Sequence, residues 1–157
     1  MDEDLRELYQ EVILDHSRHP RHFGVLAGAT HSGEGYNPLC GDRVKLTLLV
    51  GADDRISDIK FEGKGCAISQ ASASLMTDML AGRSVAEAEK LMDGFLHLVK
   101  GEDARDLKGD DRERLDVMAG VSAFPMRVKC ATLAWHTMKS ALEGKTAREG
   151  GNPAKSE

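Results

Sequence analysis

The chain has 157 residues, with 26 acidic against 21 basic side chains and a formal net charge of −5. That balance argues against a nucleic-acid partner, which would need a surplus of clustered Lys and Arg. Hydrophobic residues at 41% and charged ones at 30% are ordinary for one globular domain, and the scarcity of aromatics leaves its core to Leu, Val, Ala and Met. No apolar run approaches the roughly 18 residues of a membrane span. The start Met1-Asp2-Glu3-Asp4 is acidic where a signal peptide is basic, so a cytoplasmic protein is expected.

Leu5, Leu8, Val12 and Ile13 recur at helical spacing and the segment closes near His16, before Pro20, which predicts an amphipathic first helix packed on a sheet. A strand fits Thr30 to Tyr36, although Gly33 and Gly35 weaken it. Val44, Leu46, Leu48 and Val50 then alternate with Lys45, Thr47 and Leu49. Past the turn Gly51-Ala52-Asp53-Asp54, Ile59 and Phe61 alternate with Asp58, Lys60 and Glu62. This is the pattern of an antiparallel hairpin.

After Gly65, the run Ile68, Ala71, Leu75, Met76, Met79 and Leu80 forms a helical face ending at Gly82. Ser84-Val85-Ala86-Glu87 is a capping box opening a further helix, with Val85, Ala88, Leu91, Met92, Phe95 and Val99 inward. Residues 100 to 114 are dense in charge and read as a solvated connection, followed by a short helix around Arg112 to Ala119. Pro125 suits the first turn of a last helix whose inward stripe is Val128, Ala131, Thr132, Trp135, Met138 and Leu142. The polar stretch Lys145 to Glu157 reads as a disordered tail. Strands followed by helices predict an α+β fold over residues 1–144, a small antiparallel sheet of about three strands with helices packed on one face.

Three cysteines form an odd count in a chain without an export signal, so free thiols are expected in place of a disulfide framework. Each stands where the chain changes structure. Cys40-Gly41-Asp42 precedes a strand, with a glycine that lets the backbone turn sharply between two potential ligands. Cys66 follows two glycines and opens a helix, where unpaired N–H groups favour a thiolate. Cys130 lies in the early turns of the last helix. Three sulfurs converging with the Asp42 carboxylate would fill a tetrahedral zinc shell; the plainer alternatives are inert core thiols and an Asp42 that caps a turn.

These contexts resemble the U-type scaffold proteins of iron-sulfur cluster biogenesis. The likeness also takes in Tyr9-Gln10-Glu11-Val12-Ile13-Leu14-Asp15-His16, Pro20-Arg21-His22-Phe23-Gly24 and Asn37-Pro38-Leu39-Cys40-Gly41-Asp42, and covers most of residues 1–144. Isc-type members place a histidine directly before the third cysteine and a Pro-Pro-Val-Lys motif upstream. Here Lys129 precedes Cys130 in Phe124-Pro125-Met126-Arg127-Val128-Lys129, and the charged stretch near residues 100–114 lengthens the span from Cys66. Both departures resemble the Suf-type, zinc-dependent sulfur-transfer branch.

The resemblance implies that Cys40, Asp42, Cys66 and Cys130 hold zinc. It further implies that Cys40, once displaced from the metal by a partner residue, accepts persulfide sulfur from a pyridoxal-phosphate-dependent cysteine desulfurase, with a downstream cluster scaffold as a second candidate partner. Arg127 matches an arginine of the Suf-type motif one helical turn before Cys130, where it could stabilise a thiolate or persulfide; otherwise it is a solvated cation. The rival function is a scaffold in which the same four residues hold iron and a [2Fe-2S] cluster. A closed structural zinc module and a cysteine hydrolase are remoter, since the second needs a histidine pairing the sequence does not offer. His16, His19, His22 and His31 are expected to be surface side chains, and neither they nor His97 or His136 are expected to be ligands.

Overall fold

The structure, a computed structural model, describes residues 3–144, with side chains from Arg6 onward. The expected tail lies outside the described residues. The chain runs α1 (Glu3–Arg18), β1 (His31–Asn37), β2 (Asp42–Val50), β3 (Ile56–Lys64), α2 (Ala67–Leu80), α3 (Val85–Val99), α4 (Gly109–Leu115), a 3-10 segment (Asp116–Ala123) and α5 (Pro125–Leu142). The α+β expectation is met, with all three predicted strands present.

The strands form one antiparallel sheet in the order β1-β2-β3, with His31 opposite Leu48, Asn37 opposite Asp42 and Leu46 opposite Phe61. Val44, Leu46 and Leu48 point to the core with Ile59 and Phe61 beside them, and α2 and α5 pack on that face. The two glycines that weakened the β1 reading are what let α5 lie close. A Cβ built on Gly33 would stand 3.1 Å from the Thr137 carbonyl oxygen, and one on Gly35 would run into Thr137 Oγ1. The other face is crossed by the segment between α1 and β1. Its start pairs with β3 through Gly24 N to Phe61 O, and its middle donates Leu26 N to Thr47 Oγ1, which is why Thr47 is buried.

Trp135, fully buried in α5, stacks on Phe95 of α3 at 4.2 Å between ring centroids. Its indole N–H donates to Ser72 Oγ at 2.9 Å, and Ser72 in turn donates to the Ala131 carbonyl at 2.6 Å. A buried indole therefore has its partner, and α2 is stitched to α5. The Ser84–Glu87 capping box forms as read, with Glu87 N donating to Ser84 Oγ and Ser84 N to Glu87 Oε1.

Three expectations are corrected. The first helix packs on α2 and not on the sheet, and Leu8 is 52% exposed. Its inward stripe is Tyr9, Val12, Ile13 and His16, the i, i+3, i+4, i+7 set, which a purely apolar reading misses because two members end in polar groups. His16 is accordingly buried, not a surface side chain, with Nδ1 at 2.7 Å from Ser74 Oγ. Residues 100–114 are mostly exposed, as expected, but not a loose connection: Ala104 and Leu107 are buried, Leu107 fitting against Gly94 of α3, and a helix already starts at Gly109. Two of its charges tie it to the rest of the fold, since Asp111 pairs with Arg83 at 2.7 Å and Arg114 with Asp78 at 2.6 Å.

Candidate metal centre

β1 ends at Asn37 and β2 begins at Asp42, so the four residues between them form a tight turn with Cys40 near its tip. Asn37 braces that turn: its carbonyl accepts from Gly41 N at 2.8 Å and Cys40 N at 3.3 Å, and its Oδ1 accepts from Leu39 N at 3.2 Å. Gly41 has φ +74, a left-handed conformation that costs glycine nothing. The result is an exposed Cys40 beside an Asp42 that is 0% exposed.

Asp42 Oδ1 accepts from the backbone N–H of Cys66 at 3.1 Å. Glycine is required next door, because a Cβ on Gly65 would stand 2.7 Å from that oxygen. Cys66 is the N-cap of α2, and its Sγ accepts from Ser69 N at 3.5 Å. Cys130, 1% exposed on the second turn of α5, places its Sγ 3.6 Å from Cys40 Sγ.

The ligand atoms of Cys40, Asp42 and Cys130 all lie within 4.8 Å of one another. Cys66 stands outside that mutual trio but adjoins it, since its sulfur acts electrostatically on Cys130. Burial pushes the Cys130 thiol well up, and the neighbouring Asp42 carboxylate, the charge of Cys66 and the closeness of the other two sulfurs add to the effect. A buried thiol with such surroundings stays protonated unless a cation compensates the thiolate. Asp42 Oδ2 is buried and has no hydrogen-bond partner. A buried carboxylate oxygen left unpaired is costly, and a bound cation at the head of three thiols supplies its missing partner. Sulfur donors with one hard oxygen suit zinc, so the residues present fit that ion.

Arg127 is exposed and makes no ion pair among the described residues. It lies beside Ala67 and Ile68, the two residues after Cys66. No histidine joins a group of three potential ligands among the described residues: His22 faces Asp78, His31 bonds Thr30 and His97 bonds Glu102. Sequence reasoning did not single out Asn37. Nor did it find the exposed apolar side chains at this end of the molecule, Leu39 beside Cys40, and Phe124 and Met126 ahead of Cys130. The only sequence trace of the latter is that three large apolar residues flank the cysteines without fitting any inward stripe.

Glycine-sharpened corners that bring cysteines and an aspartate together on a three-stranded α+β frame define a thiolate metal-site protein. The chain belongs to the family of NifU-like N-terminal domains, whose profile matches residues 8–150. It is 40% identical over 149 residues to the zinc-dependent sulfurtransferase SufU of Bacillus subtilis, covering 95% of this chain and 97% of that one. It is 42% identical over 139 residues to the iron-sulfur cluster assembly scaffold protein IscU of Streptococcus pyogenes, covering 88% and 85%. Among solved structures it is similar to a candidate iron-sulfur cluster assembly scaffold protein for the SUF system from Fervidobacterium islandicum. That match has a TM-score of 0.74 and 38% identity and covers 87% of this chain and 98% of that one. The resemblance read from the cysteine contexts is thus borne out.

Proposed function

We propose that the chain is a zinc-dependent sulfur acceptor and transfer protein of iron-sulfur cluster assembly. In this reading it takes persulfide sulfur from a pyridoxal-phosphate-dependent cysteine desulfurase onto Cys40, in the cytoplasm, with residues 1–144 acting as one unit. The observation that carries it is the asymmetry of the site: Cys40 is exposed on a turn while Asp42 and Cys130 are buried. A purely structural centre would bury all its ligands.

Cys40, Asp42, Cys66 and Cys130 would hold zinc, which when bound keeps the thiols deprotonated. The Cys40 thiolate attacks the outer sulfur of the donor's cysteine persulfide. A new S–S bond forms on Cys40, the donor's S–S bond breaks, and the electron pair leaves with the donor thiolate, so no outside oxidant or reductant is needed. Asp42 and Cys130, anchored in buried backbone, stay in place while the exposed turn moves. Arg127, without a carboxylate partner, supplies positive charge for the anionic sulfur.

The test mixes the protein with a cysteine desulfurase, pyridoxal phosphate and cysteine, and locates the added sulfur by peptide mass spectrometry. Sulfur is expected on Cys40. A brown, iron-holding protein that takes no sulfur on Cys40 would overturn this reading in favour of the scaffold.

A further inference from the structure

A groove of about 690 Å³ runs between α1, the start of α2, the 3-10 segment and the start of α5. Its walls are Tyr9, Ile13, Ile68 and Phe124, edged by Arg6 and Arg127. None of the residues lining it is acidic, in a chain whose net charge is −5. Neither guanidinium has a carboxylate partner among the described residues, whereas Arg21, Arg83, Arg112 and Arg114 each engage an aspartate. At one end Asp116 and Glu113 act on the Tyr9 hydroxyl, but Asp116 is held by Arg112 at 3.2 Å.

The groove is lined in part by residues that neighbour the cysteines in the chain. Ala67 and Ile68 follow Cys66 directly, and Arg127 precedes Cys130 by one helical turn. Outside the groove Met126, four residues before Cys130, is 49% exposed, and Leu39, next to Cys40, is 61% exposed. Large apolar side chains left in water around a reactive thiol mark a surface that a protein covers.

We propose that this groove is the docking site of the sulfur-donating protein, and that it takes a segment of that partner in which a carboxylate stands among apolar side chains. The carboxylate is read by Arg6, and the apolar side chains fill the space between Tyr9, Ile13 and Phe124. A cation beside an apolar floor gives the segment a position and a direction, so the partner's persulfide is brought to the exposed thiol and not to the buried ones. The inference rests on the sulfur-acceptor reading for the identity of the partner.

The experiment measures binding of a cysteine desulfurase by calorimetry, without cysteine, so that no sulfur is transferred. Arg6→Glu should weaken binding about tenfold, Ile13→Asp should weaken it similarly, and Arg6→Lys should restore most of it. Arg18→Glu, which reverses a charge on the same helix outside the groove, should leave affinity unchanged. Zinc content should be the same in all. A parent protein that does not bind, Arg6→Glu binding as tightly as the parent, or Arg18→Glu weakening binding equally would overturn the docking site. If the parent binds through the groove but Cys40 gains no sulfur when cysteine is added, the transfer reading falls and the docking site stands.

Discussion

Asn37 and Asp42 close the β1–β2 ladder as directly opposed residues, and each keeps one buried polar atom, Nδ2 and Oδ2, with no hydrogen-bond partner. Asn37 spends its remaining polar atoms on the Cys40 turn, and Asp42 spends Oδ1 on Cys66. The pair therefore fixes two cysteine-bearing segments from one end of the sheet. It also leaves a single anionic oxygen for a cation.

Asp42→Ala should accordingly reduce zinc affinity by at least about tenfold, because ligand loss is felt more strongly than loss of an outer partner. Competition against a chromophoric chelator measures it. An unchanged affinity would remove Asp42 from the metal centre.

Zinc should bind at about one per chain and release protons as it binds, since the Cys130 thiol is otherwise held protonated by its surroundings. Calorimetry in two buffers of different ionisation enthalpy counts the protons. Affinity should fall as pH falls, because protons then compete for the same sulfurs. Cys66→Ala and Cys130→Ala should each lose zinc and thermal stability together, and a variant that kept both would exclude that cysteine as a ligand.

Cys40→Ser should abolish sulfur acceptance while the protein stays folded, because the exposed turn contributes nothing to the hydrophobic core. Arg127→Ala should slow transfer by about tenfold with zinc retained, the expectation for a charge that supports the developing anion. Stimulation of the desulfurase by Cys40→Ser equal to that by the parent would refute the transfer mechanism.

β2, β3, α2, α3 and α5 are legible in the sequence because their apolar periods of two or 3.6 are unbroken, β1 less so because Gly33 and Gly35 stand at its inward positions, and the cysteines because glycine or a helix boundary marks each corner. The stripe of α1 escapes a purely apolar reading, since Tyr9 and His16 present polar tips at inward positions. In the stretch 100–114 the two buried anchors, Ala104 and Leu107, are hidden among exposed charges, and the pairing of Asp111 and Arg114 with partners far away in sequence leaves no local pattern. Asn37 and the groove arise only from tertiary closeness, which no local period records.

His16 offers a pH test. Burial lowers its pKa in the folded state, with the Arg21 and Arg114 charges adding and Asp15 and Asp78 opposing. The unfolded chain, with an ordinary value of about 6.5, binds the proton more readily. Its contribution to stability is therefore full above that value and is lost as pH falls through it toward the lower folded value. With zinc removed by chelator, the melting temperature of the parent should drop more between pH 7.5 and pH 5 than that of His16→Gln. Parallel profiles would show that His16 is not the titrating group.

α5 rests on the bare backbone of β1, and that seat is a ruler for the sulfurs. Thr137, which fills the space above Gly33 and Gly35, is seven residues along the helix from Cys130, about 10 Å at 1.5 Å per residue. A single methyl group added at Gly35 would lift the helix there and tilt Cys130 away from a Cys40 that belongs to the neighbouring turn, costing about 1–3 kcal/mol of stability. The 3.6 Å separation of the two sulfurs is thus set by the absence of a side chain in a strand that carries no ligand of its own.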